Sequence, residues 1–489
     1  MSLSCQTMLH MVVYGYILSN AFLWLSSASP TKGTASASSF YNDDTREDLE
    51  AQLRHLRQKL SECGCSRMSQ NDMKLRYVRN VEVTCNDRSK AGYHIRKSQG
   101  SRRWVIYLEG GAFCYDNSSC DERTKVGPWS HVSSRGWPVT KRGTGILSGN
   151  IEDNPSWWNA NAVSVPYCSS DVWSGNQTLA EARNRTYVFM GARIVQEVIH
   201  ELLDLHDLGN ATQILLAGSS VGGTGVMLNL DRVADFVKKM GSQAGVYGLS
   251  DSGWYIDHTP RAKNLCNGKR KRCSASKTIQ TGQRYWNGIV PDNCAKEFTT
   301  KPWNCYFGDV LYKFIRRPLF ISQYLYDEEQ LKLAHLEIPH NNSDYERILK
   351  IGKQIRRSLK DTRNLFAPAC LAHELISKRE WKLYTIDGFT LPDALDCWLP
   401  KPYKATDPRC QNKLIDNCTY PSCNVQCPDV ITQYGSERPT VYDMTKRYNH
   451  YKRYLASKGE GGAGTSRSND VQYDSATHVR STSTGKRKT

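Results

Sequence analysis

Residues Gln213-Ile-Leu-Leu-Ala217 form a short apolar run that ends in Gly218-Ser219-Ser220-Val221-Gly222-Gly223, and a helical apolar pattern opens at Thr224. No other stretch limits the fold of this chain so strongly. A serine between two glycines, set between a strand and a helix, requires a tight turn in which neighbouring backbone comes close, and a Cβ at either glycine would clash. The surrounding pattern agrees. Trp104–Leu108, Ala162–Val165 and Pro318–Ser322 are further short apolar runs bounded by polar residues or glycine, as buried strands are. Between them the apolar spacing is helical: Met190, Ile194, Val198, Ile199 and Leu202 within 187–205, and Val226, Leu228, Leu230, Val233 and Val237 within 224–240. Strands that alternate with helices predict an α/β chain, with a mostly parallel sheet and helices on both faces.

In that setting Gly218-x-Ser220-x-Gly222 is the nucleophile elbow of an α/β-hydrolase fold, which lifts a serine above the sheet edge beside a helix N-terminus. Ser220 is the candidate nucleophile, and Ser219 is the rival hydroxyl. Acyl transfer also needs donors for the oxyanion. Glu109-Gly110-Gly111-Ala112-Phe113, directly after the strand Trp104–Leu108, offers them, so the amides of Gly111, Ala112 and Val221 are the expected oxyanion hole. The base must be a histidine that follows the serine, and His258, His335, His340, His373, His450 and His478 all do. His373 lies in an apolar loop closed by Cys370 and is preferred, with His258 the alternative. Asp251 and Asp327 both end strand-like runs, and spacing alone leaves both open as the acid. Neither His200-Glu201 nor His373-Glu374 has the second histidine of a zinc-binding HExxH, so no metal and no cofactor is expected.

Seventeen cysteines point to an oxidising compartment. The apolar run Met8–Leu25 followed by Ser26-Ser27-Ala28 reads as a signal peptide, and its removal would leave an even number of cysteines. Sequons at Asn117, Asn176, Asn184, Asn210, Asn341 and Asn417 suit a secreted glycoprotein. Cys114/Cys120, Cys266/Cys273 and Cys418/Cys423 are close enough to be local disulfides, and residues 397–430 read as a loop-rich, disulfide-stapled region. Leu49, Leu53, Leu56 and Leu60 mark a short amphipathic helix. The layout expected is a signal peptide over 1–28, a linker and short amphipathic helix over 29–74, an α/β-hydrolase catalytic domain over 75–455, and a disordered basic tail over 456–489. The formal charge is +17, with Lys269-Arg-Lys-Arg272 concentrated between Cys266 and Cys273, which predicts binding to sulfated extracellular polyanions.

Several longer motifs carry a resemblance. Trp157-Trp-Asn-Ala-Asn161, Pro166-Tyr-Cys-Ser-Ser-Asp-Val-Trp-Ser-Gly175, Leu216–Gly225, Asp251-Ser-Gly-Trp254, Arg284-Tyr-Trp-Asn-Gly288 and Phe366-Ala-Pro-Ala-Cys370 closely resemble the Notum family of secreted palmitoleoyl-protein carboxylesterases, of which plant pectin acetylesterases are distant relatives. The resemblance spans roughly residues 77–430. It implies a triad of Ser220, Asp327 and His373, an oxyanion hole at Gly111, Ala112 and Val221, and an acyl pocket walled by Phe113, Tyr255, Tyr306 and Phe307. It also implies lipidated Wnt proteins as substrates, whose serine-linked palmitoleate is removed to silence the signal, and an association with heparan sulfate and glypicans. One departure is visible: vertebrate members place Trp and Tyr after the Gly-Gly pair, where this chain has Ala112 and Phe113. The oxyanion amide survives that change, but the side chain at the pocket does not. A carbohydrate O-acetylesterase and a non-catalytic glycosaminoglycan-binding protein are the alternatives.

Overall fold

The ten-stranded main sheet runs in the order β14-β10-β8-β7-β6-β3-β5-β2-β1-β4. In chain order the strands are β1 (Asp72–Tyr77), β2 (Gly92–Arg96), β3 (Arg103–Leu108), β4 (Thr140–Arg142), β5 (Asn161–Val165), β6 (Gln213–Ser219), β7 (Gly245–Asp251), β8 (Leu319–Ser322), β9 (Tyr326–Asp327), β10 (Leu365–Ala367), β11 (Leu371–Ala372), β12 (Thr385–Ile386), β13 (Phe389–Thr390) and β14 (Lys413–Ile415). The computed structural model describes residues 71–126, 131–257, 274–334, 336, 342–400, 410–427 and 449–453. Several sequence expectations lie outside the described residues. These are the signal peptide 1–28, the leucine helix, Cys63 and Cys65, the Cys266/Cys273 pair with its four cations, His258, His335, His340 and His478, and the tail 456–489. The first described strand, β1, begins at Asp72.

From β5 to β14 every pairing in the sheet is parallel, while β1, β2 and β4 add an antiparallel edge. Successive residues of the central strands enter different cores. Trp104, Ile106, Leu108, Ile214 and Leu216 join one apolar cluster, and Val105, Tyr107, Leu215 and Ala217 join the other. Both faces are therefore covered, which is why these strands read as continuous apolar runs rather than alternating ones.

The two covers differ. On one face lie α1 (Gly191–Leu205) and α2 (Val221–Lys239), joined by the later helix Asn342–Ser358. α1 inserts Ile194, Val195, Val198, Ile199 and Leu202, each fully buried, and each such side chain contributes roughly 1.5–3 kcal/mol over leaving it exposed. On the other face the helix Leu391–Trp398 contributes Leu391 and Leu395. Turns add Trp157 and Ile376, and the short 3-10 helix Arg379–Lys382 adds Trp381. Helices on both faces is thus correct, but one face is covered mostly by loops.

Six disulfides lie among the described residues: Cys85–Cys168, Cys114–Cys120, Cys294–Cys305, Cys370–Cys427, Cys397–Cys410 and Cys418–Cys423. Two of them are the expected local pairs. The described part of the region 397–430, residues 397–400 and 410–427, is short of regular structure and carries the Cys397–Cys410, Cys418–Cys423 and Cys370–Cys427 bonds, and it returns a strand, β14, to the edge of the main sheet beside β10.

Because β3, β6, β7, β8 and β10 are parallel, their C-terminal ends share one rim of the sheet. That rim carries Glu109-Gly110-Gly111 after β3, Ser220 after β6, Asp251 at the end of β7, Asp327 in β9 beyond β8, and His373 just after β11 beyond β10. Ligands of open α/β sheets bind at such a carboxyl-end crevice.

Candidate active site

The turn after β6 is as tight as its sequence requires. A Cβ on Gly222 would come within 2.1 Å of the Leu108 carbonyl oxygen, and one on Gly218 within 2.5 Å of the Gly222 carbonyl oxygen. Ser220 itself has φ 56° and ψ −127°, a backbone state that L-residues rarely adopt. Such strain persists only where surrounding structure enforces it, and it clusters at functional positions. Here the Ser220 N–H donates to the Asp251 carbonyl at 2.8 Å, and the Ser220 carbonyl accepts the N–H of Thr224 at 3.1 Å. α2 therefore begins at Val221, earlier than the apolar periodicity marks, because glycines 222 and 223 interrupt that pattern without interrupting the helix.

Gly110 lies against the elbow: a side chain there would meet the Ser219 carbonyl at 2.9 Å and Ser220 Cβ at 3.0 Å. The same virtual Cβ would lie 2.6 Å from Glu374 Oε1, and one on Gly111 would lie 2.7 Å from the Tyr167 ring. The loop start is held by the Trp173 indole N–H, which donates to the Glu109 carbonyl at 3.1 Å, and farther along the Cys114 N–H donates to the Ser170 carbonyl at 3.1 Å. Among the described residues no hydrogen bond takes up the N–H groups of Gly111, Ala112 or Val221.

His373 and Asp327 meet. Nδ1 of His373 is 2.9 Å from Asp327 Oδ2, and Asp327 is wholly buried. Asp327 has a second task. Its Oδ1 accepts the N–H groups of Glu329 and Gln330, so the same carboxylate caps the helix Glu328–Leu333. The short parallel pairing of β9 with β11, Ala372 opposite Asp327, brings acid and imidazole to one level. Nε2 of His373 is buried and has no hydrogen-bond partner. Burial disfavours the imidazolium, but the charge and hydrogen bond of Asp327 override it, assisted by Glu374 and Glu329, and raise His373 to about 9.

Asp251, the other carboxylate that spacing left open, points elsewhere. It accepts from the Ser219 and Ser322 hydroxyls and from the backbone N–H groups of Leu375 and Ile376, and none of its hydrogen bonds reaches His373. His450 is exposed, on the small helical segment 449–453.

The four aromatic residues expected at the acyl wall fall in two groups. The Tyr255 hydroxyl is 3.2 Å from Ser220 Oγ, a direct contact that residue type alone did not announce. Burial, with the Asp327 and Glu329 charges, pushes that hydroxyl well above its usual range, so it stays protonated. Phe307 adjoins it in the chain packing, since the next residue, Gly308, donates its N–H to the Tyr255 carbonyl at 2.8 Å. Phe113 and Tyr306 instead flank Trp286, at ring separations of 5.6 and 6.2 Å, and the Tyr306 hydroxyl is committed to Ser174 Oγ at 2.7 Å. On the other side of the Gly-Gly loop is a polar cavity of about 290 Å³ lined by Tyr107, Glu109, Lys141, Arg142 and Glu374.

Two neighbours of the imidazole were not singled out from sequence. Glu374 has φ 60° and is pushed above the usual carboxylate range by burial. Lys378 donates to the His373 carbonyl at 2.6 Å. The only sequence signal at Glu374 is its adjacency to His373. No cluster of His, Cys, Asp and Glu suited to a metal ion exists among the described residues.

Comparison with known proteins bears on this geometry. Residues 66–428 match the family model described as pectinacetylesterase. The chain is 43% identical over 406 residues to the palmitoleoyl-protein carboxylesterase NOTUM of Homo sapiens, covering 81% of each chain. It is 41% identical over 409 residues to notum1a of Danio rerio, covering 82% of this chain and 81% of the other. It is 39% identical over 359 residues to the NOTUM of Drosophila melanogaster, covering 72% of this chain and 51% of that one.

Proposed function

The chain belongs to the pectinacetylesterase family, and from that membership and the geometry at Ser220 we propose that it is a secreted serine carboxylesterase that removes the serine-linked palmitoleate of Wnt proteins. The observation that carries the reading is the buried His373, bonded through Nδ1 to Asp327 and holding Nε2 unpartnered on the rim where the elbow presents Ser220. Ser220 Oγ attacks the ester carbonyl while its proton passes to His373 Nε2. Asp327 fixes the tautomer and stabilises the imidazolium that forms. The carbonyl oxygen becomes an oxyanion accepted by the N–H groups of Gly111, Ala112 and Val221, each such donor being worth roughly 3–4 kcal/mol of barrier. Collapse expels the serine alkoxide of the substrate, which takes the proton from Nε2. Water, activated by the same imidazole, then frees the fatty acid and restores Ser220.

The relatives, named palmitoleoyl-protein carboxylesterases, support a palmitoleoyl chain as the acyl group. The Tyr255 hydroxyl beside Ser220 supports an aromatic residue at the acyl site, and the family resemblance is what assigns Phe307, Phe113 and Tyr306 to the same wall. The six disulfides support an oxidising, extracellular location, and among the described residues no helix is long and apolar enough to cross a membrane. The +17 charge supports retention by heparan sulfate or glypicans at the cell surface. Heparin elution above physiological salt that falls when residues 269–272 are neutralised tests that part.

The family model's description keeps a carbohydrate O-acetylesterase as the second reading. Acyl-chain preference separates the two, since each buried methylene is worth about 0.8 kcal/mol and an acetylesterase has no use for it. Catalytic efficiency on chromogenic esters should rise from two carbons to roughly eight, because binding energy along the chain can be expressed in the transition state. An enzyme that prefers acetyl esters and leaves a palmitoleoylated Wnt peptide intact overturns the proposal.

A further inference from the structure

We propose that Asp251 is a positioning residue for this reaction: its buried carboxylate locks the loop that carries His373 to the elbow that carries Ser220. The inference rests on the triad reading above and assigns Asp251 no contact with substrate.

Asp251 closes β7, the strand paired with β6 on the side away from β3. Its carboxylate is completely buried. Oδ2 accepts the Ser219 hydroxyl at 2.7 Å, the Leu375 N–H at 2.7 Å and the Ile376 N–H at 3.1 Å, and Oδ1 accepts the Ser322 hydroxyl at 3.0 Å. Its main-chain carbonyl accepts the N–H of Ser220, so residue 251 holds the nucleophile's turn through both backbone and side chain. Its neighbour Ser252 accepts the Glu374 N–H through Oγ at 3.1 Å. Three successive amides, 374 to 376, therefore end on residues 251 and 252. The left-handed Glu374, at φ 60°, is what turns them inward. Consecutive N–H groups in such a turn form a concavity suited to an anion, and here the anion is supplied by the protein itself. His373 is the residue immediately before this nest. Removing the carboxylate leaves the buried N–H groups of Leu375 and Ile376 without acceptors and the strained Glu374 held only through Ser252, so the imidazole is freer to move relative to Ser220. Displacement of a catalytic group by about 1 Å can cost on the order of 10²-fold in rate.

The charge of Asp251 is not what the clamp needs. In Asp251→Asn the amide oxygen can occupy the Oδ2 place and accept the same three donors, while the NH₂ group donates to Ser322 Oγ. The test compares wild type, Asp251→Ala, Asp251→Asn and Asp327→Asn on a short chromogenic ester. Active sites are counted with a phosphonate that labels Ser220, so that kcat is expressed per labelled site and a mere loss of folded protein cancels. Asp251→Ala should lower kcat per site by about 10²-fold or more with KM changed less than about threefold. Asp251→Asn should restore kcat to within about tenfold of wild type and keep the ascending limb of the pH profile where wild type has it, whereas Asp327→Asn should move that limb. Should Asp251→Ala not be secreted, Ser252→Ala, which removes only the Glu374 contact, should still lower kcat per site by about threefold or more. A kcat per site within threefold of wild type for Asp251→Ala, or unchanged for Ser252→Ala when the alanine at 251 is not secreted, overturns the proposal. So does an Asp251→Asn limb that moves as far as that of Asp327→Asn. Labelling that persists in Ser220→Ala would instead overturn the esterase mechanism and leave Asp251 a structural tie only.

Discussion

The Asp327→Asn substitution acts chiefly on the carboxylate oxygen that faces the imidazole, because the helix cap survives it. Asparagine caps a helix about as well as aspartate, so the N–H groups of Glu329 and Gln330 keep their acceptor and the fold is little perturbed. What is lost is the charge beside His373 Nδ1, together with the hydrogen bond that the same Oδ2 accepts from Gln323 Nε2 at 3.3 Å. In wild type that imidazole is raised from an ordinary 6.5 to about 9, although burial alone would lower it. At about 1.4 kcal/mol per pH unit, the difference is on the order of 3 kcal/mol in favour of the imidazolium. In the proposed mechanism the imidazolium also forms as Ser220 is deprotonated, so the same stabilisation would act on the barrier and on its own account for about 10²-fold in rate. The asparagine NH₂ can also hold the wrong tautomer, a fault worth up to roughly 10⁴-fold in another serine hydrolase. We therefore expect kcat to fall between about 10²- and 10⁴-fold. The pH dependence has a definite sign. Only neutral His373 is a base, so kcat/KM of wild type rises with pH through a value near 9, and in the variant the limb moves down toward the ordinary histidine range. Stability follows the opposite order. The Asp327–His373 pair contributes fully below the unfolded histidine value and is lost as pH rises through about 9, so the variant's melting deficit should be largest in mild acid and shrink in alkali. A pH series of initial rates and thermal melts reads both. An Asp327→Asn enzyme with a plateau within tenfold of wild type, or a limb that does not move, refutes the assignment.

Ser220→Ala should abolish ester hydrolysis while secretion and melting temperature stay near wild type, because a small hydroxyl at the turn contributes little to packing; activity above a trace would put the nucleophile elsewhere. Gly222→Ala should fail earlier, at folding, since its Cβ falls 2.1 Å from the Leu108 carbonyl oxygen, backbone that cannot step aside; near-normal secretion of this variant would contradict the packing between β3 and the start of α2. Removing the Cys370–Cys427 disulfide by a double serine substitution should cost about 2–4 kcal/mol in denaturant unfolding and loosen the loop leading to His373, three residues on. An unfolding midpoint equal to wild type would show that the loop is held without it.

Local signals made most of the centre of this molecule legible. β3, β5 and β6 are apolar on every residue that matters because both faces of a parallel sheet are buried, and that condition leaves its mark in short continuous runs. The elbow is legible because its requirement is local: Gly218 and Gly222 each face backbone atoms within about 2.5 Å, so no other residue fits, whatever the rest of the chain does. The pairs Cys114–Cys120 and Cys418–Cys423 follow from short separation in the same way. The antiparallel edge was less readable. β1, Asp72-Met-Lys-Leu-Arg-Tyr77, alternates charged with apolar residues over one short stretch only, and β4, Thr140-Lys-Arg142, carries no apolar residue and is a strand only because it pairs with β1.

Apart from the family resemblance, which assigns the acid to Asp327, the division of labour between Asp251 and Asp327 is a matter of tertiary structure. Both end strand-like runs after the nucleophile, and nothing in either local sequence says which carboxylate faces the imidazole. The parallel bridge between β9 and β11 sets Asp327 level with Ala372 and so beside His373, whereas the turn at Glu374 wraps the following amides around Asp251. The contact of Tyr255 with Ser220, and the pairing of Cys370 with Cys427 across 57 residues, are of the same kind. A sequence records what a residue requires of its immediate neighbours, because sterics and burial act at every position. Partners brought together by chain reversal are chosen only when the sheet closes around them, and here that choice turned one of two equivalent aspartates toward the histidine and the other toward its backbone.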